Sequence, residues 1–197
     1  MEEKSLTEEQ MEDISLHILD IAENSIAAQA KTIQIRIQES RKKDLLSLEI
    51  DDDGQGMNQD TMKKALDPFF TTKNTRRFGF GLSLLSEAAK AAGGNFRIES
   101  NPGTGTKVKA TFKASHIDIL PLGDIPQTMI SLIMGHPEIE MIYSHTTDKG
   151  KYELDTKDIK AQLNGLPINS PEVLRFIKKH IKEGITTIRR QKWTKRN

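Results

Sequence analysis

The chain has 197 residues, 36% of them hydrophobic and 29% charged, with a net charge of +1. That is enough for one sizeable domain with an appendage, and too balanced to draw the whole chain to nucleic acid or to an anionic membrane. It contains no cysteine, which excludes disulfides, zinc–thiolate sites and iron–sulfur ligation by its own side chains. No apolar run approaches the roughly 18 residues that span a bilayer. The acidic residues 1–10 lack the apolar core of a signal peptide, so a cytoplasmic location is expected.

Ile14, Ile18, Ile21 and Ile26 recur at helical spacing, and Thr7 with Gln10 forms a capping box, so one long helix is predicted over residues 7–30. Residues 31–40 alternate Ile33, Ile35 and Ile37 with Gln34, Arg36 and Gln38, a strand with one buried face. Residues 45–51 repeat the pattern, and Lys42-Lys43-Asp44 turns between the two. A short helix over 58–66 starts at Asn58, and another over 81–92 stops at Gly93-Gly94. Residues 73–78 between them are polar and basic, as in a loop. Strands over 95–100 and 107–114 flank a tight turn at 101–105. Past Ser115, prolines and glycines punctuate the chain. A short helix is expected over 126–134, then a hairpin of 138–144 with 151–154 around Asp148-Lys149-Gly150. One more helix starts at Asp155-Thr156, and a last one at Ser170-Pro171-Glu172, with Pro at its first position and a basic tail over 189–196.

Several residues stand out chemically. Asp20 and Asn24, four apart on a helix, project from one face. An Asn there can offer a carboxamide oxygen to Mg²⁺, a hard cation that takes oxygen ligands, or be an ordinary exposed helix residue. Asp52 ends an apolar strand just before Gly54 and Gly56, and a buried carboxylate beside such a turn needs a donor. A solvated acidic turn accounts for Asp51 or Asp53 but not for the register of Asp52 with the glycines. Lys73, Arg76 and Arg77 make a basic loop just before Gly79, Gly81 and Leu82. There the glycines let backbone approach a phosphate and the amides of a helix N-terminus face it. Thr106 follows Gly103 and Gly105, as a binding hydroxyl or as a structural one at a strand start. The five histidines lie in no context expected of a phosphoacceptor or of a metal-binding pair.

Each element alone is weak, since a lone GxG before a helix occurs in many loops. In this order over about residues 8–113, the set resembles the ATP-binding domain shared by DNA gyrase, Hsp90, histidine kinases and MutL. The resemblance implies an α/β two-layer sandwich of the Bergerat type over residues 1–115. Residues 116–197 are then a small α/β extension, a possible partner-interaction region. It implies ATP and Mg²⁺ as ligands, with Asn24 on the metal and Asp52 accepting from the adenine amino group. Gly54 and Gly56 shape the turn, and Gly56 removes a side chain that would meet the base. Lys73, Arg76 and Arg77 become a short lid, one of them reaching the γ-phosphate. Gly79, Gly81 and Leu82 lie at the phosphates and Thr106 near adenine. Two positions depart from the family. Asp20 stands where MutL, gyrase and Hsp90 place the Glu that orients the attacking water. It is one methylene shorter, so an outer-shell role toward Mg²⁺ competes with a role as base. Ala27 stands where many kinases have a basic residue.

Two functions remain open at this point. One is a histidine-kinase-like or anti-sigma-factor-like protein kinase acting on a separate partner. The other is a nucleotide-gated binding module or slow ATPase switch. Stand-alone chains similar to this one are encoded near iron-hydrogenase and NADH-oxidising complexes, which implies a partner linked to redox-enzyme regulation. Neither nucleic acid nor membrane is implied.

Overall fold

A computed structural model describes residues 13–66 and 81–190. The elements run α1 (Ile14–Ala27), β1 (Thr32–Ser40), β2 (Leu45–Asp52), α2 (Gln59–Ala65), α3 (Gly81–Ala91), β3 (Asn95–Asn101) and β4 (Gly105–Lys113). After these come α4 (Ile125–Gly135), β5 (Glu140–Thr147), β6 (Gly150–Asp155), α5 (Thr156–Gln162) and α6 (Pro171–Arg190).

All six strands join one sheet in the order β3-β4-β2-β1-β5-β6. Only β1 and β5 pair in parallel; the other four pairings are antiparallel. The two-residue periodicity of each strand sorts the faces. Ile33, Ile35 and Ile37 of β1 lie in register with Ile50 and Leu48 of β2 and with Met141 and Tyr143 of β5, and all are buried. Onto this face pack α1, α3, α4 and α6, whose buried stripes include Ile14, Ile18, Leu85, Leu132, Ile177 and Ile181. The other face is a charged ladder in which Glu49 pairs with Arg36, Lys107 and Lys109. The molecule is therefore an α/β two-layer sandwich. Residues 116–190 continue the sheet of the preceding strands, because β5 hydrogen-bonds along the whole of β1.

The first helix corrects the sequence expectation. It begins at Ile14, not at residue 7, and Asp13 is its N-cap, accepting from Leu16 N–H (3.0 Å) and Ser15 Oγ (2.6 Å). The Ile14 N–H donates to the Pro121 carbonyl at 2.9 Å, which fixes this start from outside the helix. Thr7 and Gln10 lie outside the described residues. The other boundaries agree with expectation to within two or three residues. Asn58 caps α2, Gly93 takes the left-handed conformation after α3 (φ 66°), and α6 starts at Pro171.

Candidate functional site

Asp52, the last residue of β2, is anchored from three elements. Its carboxylate is buried and accepts three hydrogen bonds: Ser25 Oγ on Oδ2 (2.7 Å), and the Gly54 and Thr106 N–H groups on Oδ1 (2.9 and 3.2 Å). An ionised carboxylate has about four lone-pair positions, so three donors leave capacity for about one more. The three come from α1, from the turn after β2 and from the start of β4. The folded chain thus orients the group before any ligand arrives.

The turn after β2 is held on both sides. Gln55 N–H donates to the Ala28 carbonyl (2.8 Å) and Gly103 N–H to the Gln55 carbonyl (2.7 Å), while Met57 N–H donates to Ser100 Oγ (2.8 Å). Gly56 has φ 66°, and a Cβ there would enter the carbonyl of Asn101. The neighbour that requires glycine is the β3–β4 turn. Thr106 directs its hydroxyl to Ser100 Oγ (2.9 Å), and only its N–H reaches Asp52. Asp53 caps the entry to β1, accepting from the Lys31 and Thr32 N–H groups (2.7 and 2.8 Å). Burial raises its pKa, but these bonds outweigh that and hold it below the ordinary value. Asp51 belongs to the charged face, 3.6 Å from Arg36.

On α1, Asn24 Nδ2 donates to Asp20 Oδ2 at 3.3 Å. Asp20 is only 3% exposed, and its carboxylate lies against the first residue of α3, where a Cβ on Gly81 would collide with it. A helix N-terminus carries partial positive charge, so a carboxylate is electrostatically suited to that place. His17, one turn earlier, is also buried, and burial lowers its pKa against the raising effects of a hydrogen bond to the Gly81 backbone and of the Asp13 charge. Leu82 is partly buried and packs against the core. Lys73, Arg76, Arg77 and Gly79 lie outside the described residues.

The structure thus gathers Asp20, Asn24, Asp52, Gly54, Gly56, Gly81 and Thr106 around the C-terminal half of α1, the end of β2 and the start of α3. It adds two residues that sequence reasoning passed over. Ser25 is a buried hydroxyl inside a helix, and Ser100 ties β3 to both neighbouring turns. The only signal for Ser25 was a small polar residue on the apolar side of α1, four after Ile21, to whose carbonyl its Oγ also donates (3.1 Å).

These residues all lie within a stretch that matches a known class of domain. The family of histidine kinase-, DNA gyrase B- and HSP90-like ATPases matches residues 10–116, more than half of the chain. The protein belongs to that family. A putative sensor protein of Shewanella frigidimarina is 31% identical over 111 residues, covering 56% of this chain and 17% of that protein. The signal transduction histidine-protein kinase AtoS of Escherichia coli is 38% identical over 98 residues, covering 49% of this chain and 16% of that protein. The chain thus matches less than a fifth of the length of these relatives. The N-terminal domain of a DNA repair protein shares the fold, with a TM-score of 0.51 at 16% identity, over 75% of this chain and 53% of that one. Among the described residues no helix is long and apolar enough to cross a membrane.

Proposed function

We propose that the chain binds Mg·ATP at the C-terminal end of β2 and uses it as a regulatory protein kinase of the histidine-kinase or anti-sigma-factor type, acting on a separate partner. The observation that carries this reading is Asp52, a buried carboxylate with three fixed donors and room for about one more. The adenine amino group is such a donor, whereas guanine would present a carbonyl oxygen at the same place. Asn24 fits a Mg²⁺ ligand in chemistry. Its amide nitrogen donates to Asp20, and a carboxamide oxygen is a ligand of the kind Mg²⁺ takes. The metal would neutralise charge on the phosphates. Lys73, Arg76 and Arg77 supply the cations for the γ-phosphate in this scheme, and Gly79 with Gly81 and Leu82 the backbone at the phosphates.

Residues 1–115 are then the nucleotide-binding part and 116–197 the part that meets the partner, in the cytoplasm, with a redox-linked enzyme as the class of partner. Calorimetric titration should show ATP bound at least about tenfold more tightly than GTP, the weight of one hydrogen bond to a charged group. Asp52→Asn should remove the preference. Asn24→Ala should abolish the Mg²⁺ dependence of ATP affinity. Equal ATP and GTP affinity in the wild-type chain would sink the proposal.

The alternative is a nucleotide-gated binding module, an ATP sensor or slow ATPase switch without transfer, and Asp20 bears on how slow its hydrolysis would be. A carboxylate buried against α3 and bonded to Asn24 is poorly placed to activate a water. Transfer of the γ-phosphate of labelled ATP to a partner separates the two readings, since a module would show nucleotide-dependent association and no transfer.

A further inference from the structure

At the other end of the sheet, about 24 Å from Asp52 for the seven strand steps back to Leu45, a cavity of about 670 Å³ opens between the β1–β2 turn, the β5–β6 turn and the end of α6. Its floor is apolar: Leu45, Leu46, Ile119, Leu120, Leu122 and Ile188. Its rim is charged. A smaller hollow of about 180 Å³ shares Leu122, Gly123 and Arg189 with it and adds His145 and Lys182.

The rim charges do not cancel. Asp148 accepts from Ser40 Oγ (2.6 Å) and from Lys42 N–H (3.1 Å), which ties the two turns together. Glu39 accepts from Arg189 Nε and Nη2 (2.9 and 2.8 Å), and its Oε1 lies 2.6 Å from His145 Nε2. Arg189 therefore offsets Glu39, whereas Asp148, whose donors are neutral, keeps its negative charge at the rim. Lys149 Nζ donates to the Arg189 carbonyl (3.0 Å) and has no carboxylate partner among the described residues. Arg41 and Lys182 form no ion pair among the described residues. What faces a ligand is thus an apolar floor under a rim with one net positive charge, Arg41 and Lys149 against Asp148 once Arg189 and Glu39 are paired, in a volume typical of small-molecule sites.

We propose that this cavity binds a small amphipathic carboxylate, with its apolar tail on the leucine and isoleucine floor and its head at Arg41 and Lys149. A neutral apolar ligand would leave the cations unused, and a small inorganic anion would leave the floor uncovered. Arg41 suits a carboxylate because a guanidinium can donate two parallel hydrogen bonds to it. The site is distinct from the nucleotide site and its test needs no ATP.

The probe is octanoate, titrated into the full chain labelled at the Ile, Leu and Val methyl groups and followed by NMR. Saturable shifts are expected at Leu45, Leu46, Ile119, Leu120, Leu122 and Ile188. Acetate, which lacks the tail, and octyltrimethylammonium, which reverses the charge, should bind at least about tenfold more weakly. Arg41→Glu should weaken octanoate by a similar factor, and Ala114→Phe, which fills the cavity from its rim, should abolish the shifts. Both positions are exposed, so the Ile50 and Val108 methyl signals, in the core beside Asp52, should stay unchanged and report an intact fold. Octanoate shifts that are absent, insensitive to Arg41→Glu, matched by the ammonium probe or centred on Ile159 and Leu163, which line a separate hollow between α5 and α6, would each overturn the assignment.

Discussion

Asp20 and Gly81 occupy one space. The carboxylate of Asp20, buried on α1, fills the volume that a side chain at the first residue of α3 would need. The relation joins two segments 61 residues apart in sequence and explains glycine at 81 without reference to any ligand. Because Asp20 also accepts from Asn24, the packing of α3 sets the position of the proposed metal ligand.

Gly81→Ala should therefore destabilise the fold by about 1–3 kcal/mol, the usual cost of overpacking a filled site. It should also weaken ATP binding, through displaced Asp20 and Asn24. The substitution should cost markedly less in an Asp20→Ala background, where the clashing atoms are gone. Urea unfolding of the four proteins of that cycle measures the coupling. Additive costs would mean that the two residues do not share the space.

Ser25→Ala should lower the affinity for ATP. Its hydroxyl is one of three donors on Asp52, and a hydrogen bond to a charged group contributes about 1.5–3 kcal/mol. The change is nearly isosteric, so lost packing contributes little. The same substitution should reduce the preference for ATP over GTP, because Asp52 becomes freer to turn. Calorimetry with both nucleotides checks this, and an unchanged ratio would show that Gly54 and Thr106 suffice to orient the carboxylate.

On the opposite face of the sheet, Glu49 is shared by Arg36 (2.7 Å), Lys107 (3.0 Å) and Lys109 (3.4 Å). Partial burial raises its pKa, yet hydrogen bonds and charge from Lys107 and Lys109 prevail and hold it below the ordinary value. Glu49→Gln leaves three neighbouring cations and should cost about 1 kcal/mol at low salt, the upper range for partly exposed pairs. Chemical denaturation in urea should show that difference shrinking at 1 M NaCl, near a Debye length of about 3 Å. A salt-independent cost would point to packing in place of charge.

Where local chemistry determines structure, the sequence was sufficient to read it. Ile33, Ile35 and Ile37 marked the buried face of β1, Asn58 and Pro171 marked helix starts, and Asp52 with its glycines marked the end of β2. What escaped is decided at a distance. The start of α1 depends on Pro121, which accepts from Ile14 N–H, and on Gly123, which packs against Asp13; local pattern alone extended the helix back to Thr7. The parallel pairing of β1 with β5 leaves no mark in either strand, since both faces alternate in the same way whichever neighbour is chosen. Ser25 has no visible role in the sequence until β2 brings Asp52 against it. His145 is buried because Glu39, 106 residues earlier, and Tyr143 both meet its ring nitrogens. The reason for glycine at 56 was also non-local, a carbonyl of the β3–β4 turn where the sequence suggested a base.

His17 gives the chain a dependence on pH that is separable from its carboxylates. Burial favours its neutral form, so its folded-state pKa lies below the ordinary 6.5 although the Gly81 backbone and Asp13 both oppose the shift. Between that lowered value and about 6.5, the unfolded chain takes up a proton that the folded chain refuses. Stability therefore falls as pH falls through this window, by no more than about 1.4 kcal/mol per pH unit for one group. It levels off once the pH is below the folded value, where both states are protonated. Glu39, Glu49 and Asp53 are held below their ordinary values near 4, so their losses come at lower pH. Urea unfolding between pH 7 and 5 should show the decline in the wild type and a flatter profile in His17→Gln, which keeps a donor for the Gly81 backbone without a titrating ring. An equally steep decline in His17→Gln would move the effect to another group.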